Sequence, residues 1–113
     1  MKYVAYYSLH INSNEDPIDS SDLRLVCEYH LQALCDNLSL RGIDAMSLKP
    51  NTHYKVAKDM AEIEDRIILT RRIDRTIFEK YRVVYIMEKN LKEQVKEAYW
   101  YLNVQEEEAK ASL

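Results

Sequence analysis

Ser39-Leu40-Arg41-Gly42-Ile43-Asp44-Ala45-Met46-Ser47-Leu48-Lys49 contains the only glycine among the 113 residues. Glycine commonly stands just past a helix end, because without a Cβ it takes a left-handed backbone at little cost. Upstream, Leu23, Val26, Cys27, His30, Leu34 and Leu38 recur at spacings of three and four, the pattern of a helix with one apolar face. That helix is expected to open at Ser20 or Ser21, whose hydroxyls suit an N-cap, and to run to about Arg41. Downstream, Ile43 to Lys49 reads as a short strand. Earlier still, Lys2 to Ile11 carries apolar side chains on both parities and reads as a strand covered on both faces. Strand-helix-strand units are overwhelmingly right-handed, so these two strands are expected to be parallel.

Beyond Pro50, the spacing of Val56, Met60, Ile63 and Ile67 predicts a helix from about Thr52 to Asp65. Ile67–Thr70 and Arg82–Glu88 read as strands on their β-branched content. Thr76, with Glu79 three residues on, signals a short capped helix over Ile77–Tyr81. The competing reading makes all of Asp65–Glu88 helical. Asn90 with Glu93 is a second capping signature, opening a terminal helix whose Leu91, Val95, Ala98 and Leu102 share one stripe. The expected fold is α/β: a single small three-layer domain over residues 1–113, with about four mostly parallel strands, flanking helices and a long C-terminal helix.

Apolar residues make up 47 % of the chain and charged residues 31 %, enough for one ordinary core. No apolar run approaches the length of a membrane span, and the tyrosine-rich start does not resemble a secretory signal, so a cytoplasmic protein is expected. Cys27 and Cys35, placed in one helix, would be roughly 12 Å apart along its axis, too far for a disulfide. They read as two free thiols in a reducing compartment. Cys27 and His30 would share a helix face, but a metal needs two more ligands and no matching pair stands out. No metal and no cofactor are assigned.

Glycine-built phosphate cradles and oxyanion turns have almost no material here. In a parallel sheet, ligands bind beyond the carboxyl ends of the strands, an edge expected to carry residues 10–19, 50–54, 71–74 and 88–90. His10, His53 and Asp74, with Asp16 and Asp19, are the acid/base candidates on that edge. The segment Arg66 to Arg82 sets six cations against Asp74 and Glu79, so Arg71, Arg72 and Arg75 are candidates for phosphate binding. Against that stands the net charge of −3 and the supply of acidic neighbours, Asp59, Glu62, Glu64 and Asp65, able to pair with these arginines.

On the terminal helix Trp100 falls about 180° from Leu91 and should point away from the core. With Tyr101 and Val104 it is the candidate partner-binding surface.

Met1–Tyr7 and Ile68–Arg75 are similar in order and spacing to strands of serine recombinase catalytic domains. The catalytic signature of that family is missing, with Ser8 and His10 where its arginine and serine would stand and Phe78 in place of its second arginine. The likeness is therefore not adopted. The leading expectation is a non-enzymatic regulatory protein, of the kind that phages and bacteria use as inhibitors, acting through a protein partner or a homodimer. The alternatives are a small enzyme or ligand-binding domain using the strand ends, and a nucleic-acid binder using Arg66–Arg82, the latter disfavoured by the acidic balance. No membrane association is expected.

Overall fold

A computed structural model describes residues 22–72, 74 and 76–104. It is α/β, as the pattern predicts: β1 (Arg24–Cys27), a 3₁₀ turn (Tyr29–Leu31), α1 (Gln32–Leu40), β2 (Asp44–Ser47), α2 (Tyr54–Ile63), β3 (Ile67–Thr70), β4 (Val83–Tyr85) and α3 (Leu91–Leu102). The strands form one sheet in the order β2-β1-β3-β4, every pair parallel. The strand expected over Lys2–Ile11 lies outside the described residues.

The single helix expected from Ser20 or Ser21 to Arg41 is overturned. Arg24–Cys27 is a central strand, paired on one side with β2 and on the other with β3. Leu23, Leu25, Val26 and Cys27 are all buried, so the run is apolar on both faces, as a strand between two helical layers must be. Cys27 therefore ends a strand while Cys35 sits in a helix packed over it. Their thiols lie near enough to perturb each other's protonation, raising that of Cys27 and lowering that of Cys35, rather than two helical turns apart. Both remain free thiols.

Gly42 does end α1. Its φ is +94°, its N–H donates to Ser39 O at 3.0 Å, and the N–H of Ile43 donates to Leu38 O at 3.1 Å, the paired bonds of a Schellman motif. In α2 the apolar stripe is displaced from the expected one. Ala57 is buried and Tyr54, Met60 and Ala61 pack on the core, whereas Val56 and Ile63 face solvent. Residues 76–80 form turns rather than a capped helix, and β3 and β4 exclude the all-helical alternative for 65–88. In α3, Asn90 accepts a hydrogen bond from the Glu93 N–H at 2.9 Å, as the capping signature requires. Val95, Ala98 and Leu102 are buried, joined by Tyr99 and Gln94, whereas Leu91, expected on the same stripe, is exposed because it opens the helix at its solvent end.

Chain order fixes the layers. The steps β1→β2 and β2→β3 run in opposite directions across the sheet, so right-handed crossovers put α1 and α2 on opposite faces. Contacts agree: α3 packs beside α1, while Phe78, from the β3–β4 connection, meets Tyr54 of α2 edge to face at 6.2 Å between centroids. The chain leaves β1 toward one edge and β3 toward the other. The carboxyl ends of these two neighbours thus mark the topological switch point, where an open parallel sheet leaves a crevice.

Candidate nucleic-acid interface

A cleft of about 600 Å³ occupies that switch point. Glu28, Tyr29 and His30 enter it from the end of β1, Leu48–Thr52 from the end of β2, and Arg71 and Arg72 from the end of β3. Glu28 forms its floor, with only 11 % of its side chain exposed. Its carboxylate accepts from the Thr70 hydroxyl and from Arg72 Nε, the latter at 2.9 Å. The N–H of Arg72 donates to Thr70 Oγ1 at 3.0 Å, closing the network. The Arg72 guanidinium also lies 5.3 Å from the centre of the Tyr54 ring. A flexible cation is thereby held in one place by an anion, a backbone bond and an aromatic face.

Arg71 does a different job. Its Nη1 donates to Ile86 O at 3.3 Å and Glu88 O at 2.5 Å, strapping the loop after β4 to the end of β3. Glu97 secures the same loop from the other side, accepting from the Met87 and Glu88 N–H groups at 3.0 Å. Lys49 is exposed and makes no ion pair among the described residues.

The other predicted residues disperse. His53 caps α2, its Nδ1 accepting from the Lys55 N–H at 3.0 Å, and its ring lies against Tyr54. Asp74 accepts from the N–H and hydroxyl of Thr76 in a local turn. Neither lines the cleft. His10, Asp16, Asp19 and Arg75 lie outside the described residues. The basic segment is divided between the two ends of the sheet. Arg71 and Arg72 reach the cleft, whereas Arg66 and Arg82 stay at the amino edge, paired with Asp44, Glu64 and Asp65. Trp100 is 64 % exposed, while Tyr101 and Val104 pack partly on the core.

Glu28, Tyr29 and His30 escape the sequence reading of the strand-end edge because residues 23–41 read there as one helix, and Lys49 escapes it as the last residue of the strand before that edge. The signal was Leu25, an apolar residue off the helical stripe that makes Leu23–Cys27 a nearly continuous buried run.

Metal centres that cut phosphodiesters use carboxylates converging on the ion. Among the described residues no group of three or more His, Cys, Asp or Glu side chains could hold one. Among the described residues the one carboxylate lining the cleft, Glu28, is already engaged by Arg72 and Thr70. These residues do not fit a divalent ion, and no step below depends on one. Nor is any described helix long and apolar enough to cross a membrane.

No curated protein and no solved structure matches the chain. The model of the Mut7-C RNAse domain family does, over residues 23–112, which span β1 to the end of α3 and the whole cleft. This match overturns the expectation of a non-enzymatic regulator or inhibitor directed at another protein, and with it the low standing given to nucleic acid as a partner. With most of its length matched, the chain belongs to the Mut7-C RNAse domain family.

Proposed function

We propose that the chain is a ribonuclease-type protein that binds single-stranded RNA in the switch-point cleft. The observation that carries this reading is the described lining itself: Lys49, Arg71, Arg72 and His30 around Glu28, whose carboxylate is already paired. Phosphate contacts supply most of the affinity for nucleic acid, and cations need to be available for them. Arg72 and Lys49 are the groups suited to hold a phosphate and to offset the charge that grows on its non-bridging oxygens. His30, exposed in the 3₁₀ turn, is the imidazole of the described lining and the group suited to take a proton from the attacking oxygen. The same reading has the protein work in the cytoplasm, which two free thiols support.

Labelled single-stranded RNA should bind at low salt and be cut. In His30→Ala, cleavage should fall by about 100-fold or more while binding changes little. Unchanged cleavage would remove His30 from the chemistry. Failure to bind RNA at low salt would sink the reading as a whole.

A further inference from the structure

We infer that the cleft holds one unpaired nucleotide, its base stacked on the Tyr29 ring and its phosphate against Lys49 and Arg72. This rests on the RNA-binding reading and names what the cleft recognises. Tyr29 is 44 % exposed although it lies two residues past a strand whose last three residues are buried. Its position is set by short backbone bonds: Glu28 N–H donates to Leu69 O at 3.1 Å, and Leu31 N–H donates to Glu28 O at 2.9 Å. The His30 ring meets it edge-on, 5.9 Å between centroids at 66°. An aromatic face held at the mouth of a polar cleft suits the planar face of a base, whatever its sequence.

The phosphate side is equally prepared. Lys49 sits in a turn closed by the Thr52 hydroxyl and N–H, which donate to Lys49 O at 2.6 and 3.3 Å. Asn51 in that turn has φ of 65°, a left-handed conformation that asparagine tolerates better than most residues. The terminal nitrogens of Arg72 have no acceptor among the described residues, while its Nε is fixed on Glu28. A cleft of about 600 Å³ falls within the range of small-molecule sites, about 300–1,000 Å³. A base inside a duplex keeps both faces covered by its neighbours, so this arrangement selects an unpaired one.

Calorimetric titration with adenosine 5′-monophosphate, ribose 5-phosphate and inorganic phosphate separates the two parts. The parent and Tyr29→Phe should bind the nucleotide roughly 5- to 100-fold more tightly than ribose 5-phosphate. In Tyr29→Ala that gap should vanish with ribose 5-phosphate affinity kept, whereas Lys49→Ala should weaken all three probes. Equal affinity of the parent for nucleotide and ribose 5-phosphate would overturn the stack and leave the phosphate reading standing. Failure of all three probes and of RNA to bind would overturn both.

Discussion

Arg66 shows how little a residue's charge says about its role until its surroundings are known. It is 5 % exposed, and its guanidinium donates to Leu25 O at 2.9 Å, to Asp44 Oδ1 at 3.0 Å and to Glu64 Oε1 at 2.6 Å. Burial pulls its pKa down, but the bonds to Glu64 and Asp44 more than offset this and hold it charged. Asp44 responds in kind, its carboxyl held below the ordinary value first by the Arg66 hydrogen bond. A depressed carboxyl binds fewer protons in the folded chain than in the unfolded one. Its contribution to stability is thus full above the unfolded value, about 3.9, and is lost as pH falls through the folded value. The thermal midpoint should drop as pH is lowered from 5 to about 3, and Asp44→Asn should flatten part of that drop. A variant with the parent's pH profile would show that the pair does not contribute. The strand reading of Ile67–Thr70 already set Arg66 before the strand and Arg71 and Arg72 after it, but nothing in the sequence showed that Arg66 is buried.

Among the elements, the carboxyl end of α1 and the amino end of α3 were legible because caps are local. Gly42 and Asn90 each act within a few residues, so the signal and its effect share one stretch of chain. Gly42→Ala tests this directly. Nothing lies within 4 Å of a Cβ built there, so the cost is confined to the left-handed backbone at φ +94°. Roughly 1 kcal/mol of stability should be lost, read from denaturant midpoints with an unchanged m-value. No loss at all would mean that the helix end relaxes to another conformation. The end of α3 uses the same device with Asn103 at φ 57°, its N–H donating to Trp100 O and the Val104 N–H to Tyr99 O. By contrast β1 was illegible. Val26 and Cys27 fall by coincidence on the 3.6-residue stripe of α1, and the departure of Leu25 from it is too small a signal for periodicity to divide a buried strand from the helix that follows it. Only pairing with β2 and β3 makes Arg24–Cys27 extended.

At the scale of the molecule, a chain of net charge −3 concentrates Lys49, Arg71 and Arg72 at one edge of its sheet. Local potential, not the total, decides whether RNA approaches at short range. If Lys49 and Arg72 together neutralise one phosphate, affinity for single-stranded RNA should fall with salt at a log–log slope of about −0.7, and Lys49→Ala should flatten it. A slope near zero, or an unchanged one in the variant, would place the RNA elsewhere. The amino-acid order by itself determined the α/β class, the helix boundaries at Gly42 and Asn90, and the strands at β2, β3 and β4, since periodicity, capping and β-branched runs act over short distances. Tertiary structure alone decided that β1 is a strand, that Cys27 and Cys35 come together, and that Arg66 is buried against Asp44 while Arg72 is held by Glu28. It also brought Glu28, Tyr29, His30 and Lys49 into one cleft with Arg71 and Arg72. Those contacts join residues some twenty to forty positions apart, and their geometry follows from strand order and crossover handedness rather than from any local pattern.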